Sequence, residues 1–375
     1  MDIQSNEAAQ KPTIAILTVQ DKSRIFRGDR SNFADILKTG KELGAEIYVI
    51  AASDLKLTGS KVPGYRYNTE KKTWVRSLLP VPHVIYNRVP YRKMEMQPEV
   101  QQTIQACIRS NQVTLFNPAF FNKWSLFEWL SKSALTRKYI PATQQLSSSQ
   151  ELERLLRDHS VVYLKPVKGK AGRGIMRLER RMSKNKQPEF RLCVQENVTM
   201  EYKTHSSIDS LWQEIIERRG SKEYIMQQGI TLTSYKNRVY DLRALIQKTS
   251  KGRWSVTGIG ARVAGRLSIT THVPRGGSID NPRKLLTHAF GQQQADIILK
   301  RTKQAALLLA KQIEKSSGSE LGEMSMDLGV DTSGRIWFFE ANSKPMKFDE
   351  PEIRQKSLKR IVGYSMYLSR KVKRG

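Results

Sequence analysis

Three side chains with hard oxygen atoms lie close together late in the sequence: Asp327, Glu340 and Asn342, within MDLGVDTSGRIWFFEANSKP, Met326 to Pro345. Their neighbours include Val330, Ile336, Trp337 and Phe338, residues that favour strands. Asp331-Thr-Ser-Gly334 supplies a turn, so the stretch reads as a hairpin. With Val330 paired to Arg335, Asp327 falls opposite Phe338, and Phe338, Glu340 and Asn342 share its face. Asp327 and Glu340 are then diagonal neighbours, roughly 7 Å apart at the backbone. Two carboxylates at that separation repel unless a cation lies between them. Mg²⁺ suits the place, because it takes hard oxygens and completes its shell with substrate phosphates. A solvated hairpin with scattered acids satisfies the same stretch.

A second group precedes it. Residues 161–175 read VVYLKPVKGKAGRGI. A strand delivers Lys165, and a loop follows with Gly169, Gly172 and Gly174, interleaved with Lys168, Lys170 and Arg173. Glycine lets backbone N–H groups approach an anion, and the cations neutralise it. No Lys-Ser/Thr follows Gly174, so this is not a Walker A loop, and no third glycine completes a dinucleotide fingerprint. The next strand follows directly, which makes the loop a flap between strands. A basic hairpin tip without a ligand remains the alternative.

The elements that must position these groups can be read in outline. Thr13–Val19, a helix over Phe33–Leu43 and Ala45–Ala51 form a βαβ unit, which implies a parallel sheet. Tyr65–Trp74 reads as a hairpin, Pro82–Asn87 and Val113–Phe116 as strands, and Met96–Ser110 as a helix. Residues 1–115 therefore read as one α/β domain. Asn122–Tyr139 reads as one helix ending before Pro141, and Ser148 or Ser149 caps another running through Asp158. Strands are expected at Gly174–Leu178, Leu192–Gln195, Tyr224–Gln228, Val239–Lys248 and Trp254–Val263, then a long helix over Ala289–Lys315. Pro351–Lys373 reads as a basic C-terminal helix.

Bulk composition fits a soluble mixed α/β protein. The 375 residues are 39% apolar with a mean hydropathy of −0.52. Sixty-four Lys and Arg against 35 Asp and Glu leave a charge of +29, which attracts polyanions without choosing among them. The cations are spread along the chain with local clusters at Arg180–Lys186 and Arg370–Arg374, and a basic tail is usually a solvated end, which speaks against dedicated nucleic-acid binding. Cys107 and Cys193 match no metal spacing and suit a reducing compartment as small core residues. The N-terminus lacks signal-peptide features and no apolar run reaches the ~20 residues of a membrane span, so a cytoplasmic protein is expected.

The order of these parts resembles the ATP-grasp superfamily of carboxylate–amine ligases. Asp327 followed by Glu340-Ala-Asn342 and Pro345 resembles the metal motif of D-alanine–D-alanine ligases in spacing and ligand type. Lys123, in NKWSLFEWLSK, resembles the lysine that opens the family's helix and reaches ATP phosphates. Lys165 resembles the strand lysine on the α/β-phosphates, and Gly169–Gly174 the flap that closes over them. EYIMQQGI resembles the interdomain strand at the adenine edge, around Gln227, Gln228, Gly229 and Ile230, although glutamine stands where the family often has Glu. VYDLRALI resembles the Asp-x-Arg strand of glutathione-synthetase-like and RimK-like members, with Arg243 aimed at phosphate or carboxylate. GIGARVAG…THVPRGG resembles a further segment of that branch. There Arg262 would stabilise the transferring phosphate and Gly276 and Gly277 would lie in a substrate loop, with His272 where many relatives have Asn. KWSLFEWL, YIPAT, VYDLRALIQK, FFEANSKP and the early PHVIYNRVPYR also resemble the YheC/YheD group of endospore-coat-associated ATP-grasp proteins.

The resemblance implies an ATP-grasp fold, two α+β subdomains gripping ATP, preceded by an N-terminal α/β pre-ATP-grasp domain. The expected division is 1–115, then 116–375, with a lid and flap over about 116–228 and a metal-binding subdomain with the basic C-terminal helix over about 229–375. ATP and one or two Mg²⁺, or Mn²⁺, are the implied cofactors, with Asp327, Glu340 and Asn342 as metal ligands. Lys123, Lys165, Lys168, Gly169, Gly172, Gly174 and Gln227–Ile230 would hold the nucleotide, and Arg243 and Arg262 would act in catalysis. The implied reaction joins a carboxylate to an amine through an acyl phosphate. The charge suits an acidic peptide or coat protein as acceptor, and a spore-coat location follows from the group. A kinase-like phosphotransferase and a non-catalytic basic coat component remain the alternatives.

Overall fold

In the computed structural model, residues 11–23, 25–168, 173–196, 199–265 and 277–372 are described. Three β-sheets organise them. The first comprises β1 (Thr13–Thr18), β2 (Glu46–Ala51), β3 (Lys61–Asn68), β4 (Thr73–Pro80), β5 (Val84–Asn87) and β6 (Thr114–Phe116), in the order β4-β3-β2-β1-β5-β6. Helices α1 (Arg30–Glu42), α2 (Arg92–Glu95) and α3 (Pro98–Arg109) connect these strands. β1 is parallel to β2 and to β5, as the strand–helix–strand pattern requires, and the β3–β4 hairpin adds an antiparallel edge.

Next come α4 (Lys123–Ser131), α5 (Ala134–Arg137), β7 (Thr143–Gln145) and α6 (Ser149–Asp158), then β8 (Val161–Pro166), β9 (Met176–Met182), β10 (Pro188–Glu196) and β11 (Thr199–His205). With α7 (Ile208–Arg219) and β12 (Tyr224–Gln228) they complete the second sheet, ordered β11-β10-β9-β8-β12-β7. One face buries Val162, Leu164, Met176, Leu178, Leu192 and Val194 against α6 and α7. Side chains alternate across a strand, so Tyr163, Lys165, Arg177 and Cys193 point to the other face.

The third sheet holds β13 (Ser234–Tyr235), β14 (Arg238–Lys248), β15 (Trp254–Val263) and β16 (Ser278–Asp280). It is completed beyond α8 (Pro282–Phe290) and α9 (Gln292–Ser317) by β17 (Glu323–Val330) and β18 (Ile336–Asn342). The order is β16-β15-β14-β17-β18, with β13 on β14. Its core face packs Leu242, Ala244, Met326, Leu328 and Phe338 against α4, α8 and α9. The last helix, α10 (Pro351–Ser369), sends Ile361, Val362, Tyr364 and Leu368 into the core that α1 shares with the first sheet. Cys107 and Cys193 are buried and unpaired. Among the described residues no helix is long and apolar enough to cross a membrane.

Several local expectations are corrected. The helix expected over Asn122–Tyr139 breaks at Lys132, and Ser133 accepts the Leu135 N–H to cap a separate α5. The helix expected over Ala289–Lys315 starts at Gln292. Phe290 closes α8, and Gly291 between them takes φ +78, which a side chain rarely adopts. β11 and α7 were not read in the sequence, and the strand expected at Gly174 begins at Met176.

Candidate functional site

The β17–β18 hairpin turns as expected at Asp331–Gly334, where the Asp331 carboxylate accepts the N–H groups of Ser333 and Arg335. Its register differs from the expectation. Val330 pairs with Ile336, Leu328 with Phe338, and a bulge then lets Asp327 pair with Glu340. The extra residue, Phe339, shifts the alternation by one place. Phe338 therefore joins the core face, 5.8 Å ring to ring from Phe127. Asp327 and Glu340 stand directly opposed rather than diagonal, and Asn342 pairs with Ser325 beside them.

The same rung continues across the sheet. Glu340 pairs with Asp327, Asp327 with Arg243, and Arg243 with Gly260. Around the carboxylates stand three cations from three elements. Arg243 Nη1 lies 3.8 Å from Asp327 Oδ1, and Arg262 Nη1 lies 3.7 Å from Oδ2. Lys123, the first residue of α4, reaches Glu340 Oε1 at 2.5 Å, its helix capped by the Asn122 side chain. Arg243 also donates to Ser325 Oγ at 3.3 Å and lies over the Phe348 ring.

Asp327 is 6% exposed, and its buried Oδ1 accepts no hydrogen bond. An oxygen in that state is costly to bury, and a divalent cation is the partner its chemistry fits. Two opposed carboxylates and one amide oxygen form a hard donor set. Among the described residues no group of three His, Cys, Asp or Glu that could hold a metal gathers, so a cation here would need donors beyond the two carboxylates.

The second sheet supplies Lys165. Its Nζ donates to Gln227 Oε1 at 2.5 Å, and Gln227 Nε2 donates to Thr143 Oγ1 at 2.9 Å. The ammonium also lies 5.4 Å from the centre of the bulged Phe339 ring. Burial and the nearby Lys123 push the Lys165 ammonium down to about 8, against the pull of Glu340 and Asp327. Two lysines held this close favour an anion between them.

The flap residues are only partly described. Lys168 is exposed, while Gly169 and Gly172 lie outside the described residues, as do His272 and Gly276. Gly174 takes φ +74, and its carbonyl accepts the Tyr224 hydroxyl at 2.9 Å, just before β9 turns back along β8. At the end of β12, Gln228 N–H bonds to Ala142 O and Gly229 N–H to Val161 O, both at 2.8 Å. Those two donors are engaged within the protein, and half-buried Ile230 follows them.

The segment after Asn342 is tied to the first sheet. Lys344 and Glu95 form an ion pair in which each side chain is 3% exposed. Asn117 Oδ1 accepts the Gly322 N–H at 2.8 Å, its Nδ2 donates to Glu323 O and Ser343 O, and Arg88 donates to Pro345 O at 3.0 Å. Burial pushes the Glu323 carboxyl up, with Arg88, Tyr86 and Gln247 opposing it. Sequence reasoning missed Glu95, Asn117, Thr143, Ser325 and Phe348. None carries a local motif, because each reaches the site through a distant strand pairing or loop. The doubled phenylalanine before Glu340 was the one visible sign of a bulge.

The chain is similar to several known proteins. A family model described as YheC/D-like ATP-grasp matches residues 112–368. The endospore coat-associated protein YheD of Bacillus subtilis (strain 168) is 30% identical over 359 residues, 93% of this chain and 76% of that protein. Among solved structures, the VanG D-Ala:D-Ser ligase of Enterococcus faecalis superposes with a TM-score of 0.54 at 12% identity, covering 96% of this chain and all of that one (100%). The ATP-grasp ligase PsnB, solved with its precursor peptide PsnA2 and AMPPNP, gives 0.52 at 13% identity, covering 95% and 98%. At these identities the structures share the fold.

Proposed function

The chain belongs to the YheC/D-like ATP-grasp family, and on that premise we propose that it is an ATP- and Mg²⁺-dependent ligase joining a carboxylate to an amine. The observation that carries the reading is the directly opposed Asp327–Glu340 pair, enclosed by Lys123, Lys165, Arg243 and Arg262 from four different elements. Such an arrangement suits a triphosphate, whose charge the cations offset and whose metal the acids hold.

In this reading Asp327, Glu340 and Asn342 would hold Mg²⁺, which would offset the charge of the nucleotide's phosphates. Lys165, from the second sheet, and Lys123, from the helix packed on the third, bind phosphate oxygens. Lys123 leaves Glu340 and Arg243 leaves Asp327 as the nucleotide and metal arrive, so both cations are free to meet the phosphoryl group in transfer. Gln227 fixes the Lys165 ammonium, and the Phe339 ring lies beside it. The flap that carries Gly169, Gly172 and Gly174, with Lys168 at its base, closes over the phosphates, and Gln228–Ile230 border the adenine. A carboxylate activated as its acyl phosphate must be shielded from water until an amine arrives. By analogy with the coat-associated relatives, the chain acts in the cytoplasm of a sporulating cell or at its coat, and an acidic peptide suits the +29 charge as acceptor.

The test is a thermal titration with ATP, with and without Mg²⁺, on the full chain and on Glu340→Ala. A ligand that binds only the native state stabilises it by RT ln(1 + [L]/Kd). The expected result is a Mg²⁺-dependent rise in Tm that the variant loses. A folded wild-type protein whose Tm ignores nucleotide and metal would overturn the proposal.

A further inference from the structure

Glu350 has no place in the machinery above, yet it stands on the wall of the same site. The site-face rung runs Glu340, Asp327, Arg243, Gly260 across four strands. Arg262 reaches Asp327 from the same face of β15 on which Gly260 lies, two residues before it. A Cβ at Gly260 would come within 2.0 Å of Glu350 Oε1. The carboxylate thus occupies the slot that the missing side chain leaves, two strands from Asp327. At about 4.8 Å per strand that is roughly 10 Å from Asp327, a span that a phosphoryl group and a carboxyl carbon fill.

The ordinary explanation for an acid here is the start of a helix. Glu350 is the N-cap residue of α10, where a negative charge meets the helix dipole. Its side chain, however, makes no capping hydrogen bond. It is half-buried, lies against β15, and among the described residues forms no ion pair. The site is otherwise crowded with cations suited to phosphate and carboxylate. A carboxylate at its far end suits the remaining reactant, which arrives as an ammonium ion.

We propose that Glu350 is the catalytic residue that receives the acceptor amine, binding its ammonium form and taking one proton from it. This deepens the ligase reading and rests on it. The neutral amine then forms the C–N bond to the acyl carbon while the bond from that carbon to the phosphate oxygen breaks. Phosphate leaves with the electron pair and takes up the second nitrogen proton, giving the amide and hydrogen phosphate. Glu350 returns its proton to solvent. Arg243, its neighbour on the rung, lies on the phosphate side of the attack, so the amine is held opposite the departing group.

The experiment measures ADP release by the full chain with ATP and Mg²⁺, across pairs of amino acids offered as carboxylate and amine, and repeats the active pair with Glu350→Gln. The expected result is a KM for the amine raised about tenfold or more, because an ammonium loses its charged partner, with the KM for ATP and the Mg·ATP thermal shift unchanged. Hydroxylamine, uncharged at neutral pH, needs neither the charge nor the base. Hydroxamate formation from the same carboxylate should therefore survive in the variant, which a merely misfolded site would not allow. Gly260→Ala, which displaces the carboxylate without removing it, should reproduce the amine defect. Equal amine KM values in wild type and both variants, or equal losses with amine and hydroxylamine, would overturn the assignment of Glu350 and leave the ligase standing. No ADP release from wild type with any pair would overturn the ligase reading itself, and this inference with it.

Discussion

Replacing Glu95 by alanine should damage the protein more than its position on a four-residue helix suggests. Glu95 and Lys344 are each 3% exposed at the side chain, so neither charge is shared with water. Glu95 Oε1 also accepts the Phe120 N–H at 2.9 Å, and Lys344 lies over the Phe120 ring at 4.5 Å. Removing the carboxylate strands a buried ammonium that burial already pushes down to about 8 against the pull of Glu95. Breaking a buried pair in this way costs about 3–5 kcal/mol, and the orphaned Phe120 N–H adds about 1 kcal/mol or more. A loss of at least about 4 kcal/mol is a large part of the 5–15 kcal/mol typical of a domain. With a urea slope of about 2 kcal/mol/M, the midpoint should fall by about 2 M. Because the chain has three sheets, the unfolding should be followed both by a far-UV signal and by tryptophan fluorescence. Lys344→Met alone should cost less, and the double variant Glu95→Leu with Lys344→Met should recover most of the loss, since an apolar pair leaves no charge stranded. A midpoint shift below about 0.5 M in Glu95→Ala, or strictly additive effects in the double variant, would refute the reasoning.

Two further outcomes follow from the same framework. Burial raises the Asp331 carboxyl, but hydrogen bonds from Ser333, Trp337 and the Arg335 and Ser333 N–H groups outweigh it and hold it below the usual range. Its stabilisation is then present above the ordinary carboxylate pKa and lost as pH falls through the lowered value, so Asp331→Ala should lower Tm at pH 7 and should converge with wild type towards pH 2. A constant gap across that range would show that the turn acts through something other than the charge. Asn117 is fully buried at φ +55 and bridges the first and third sheets. Asn117→Ala should cost about 3 kcal/mol from orphaned backbone groups, and Asn117→Gly about 1 kcal/mol less because glycine tolerates that φ, both read from urea midpoints.

Much of the fold was legible because it is local. Tyr224–Gln228 and Trp254–Val263 were bounded correctly from β-branched and aromatic runs alone. The parallel pairing of β1 with β2 followed from one intervening helix. The errors cluster where a single residue decides. Ser133 and Gly291 each interrupt an apolar period that otherwise reads as one long helix. β11 begins beyond residues 197 and 198 and carries few strand-favouring residues apart from Tyr202 and its threonines, so β10 hid its partner. Glu95, Asn117 and Glu350 could not be found from the sequence, since each acquires its surroundings from a strand or loop far along the chain.

The bulge at Phe339 joins the fold to the site. A regular register would set Asp327 against Phe338, an acid against an apolar ring, and leave Glu340 displaced along the strand. One inserted residue turns Phe338 into the core and brings Glu340 onto the rung of Asp327, Arg243 and Gly260. The repulsion so created is offset in this structure by Lys123, Arg243 and Arg262. On the proposed reading those same cations would meet the phosphates, and the ion pairs already gather them beside the acids. On that reading the ion pairs are exchangeable, since the acids would hold the metal and the cations the phosphates. A site held by exchangeable ion pairs can be ordered before its ligands bind without being closed to them.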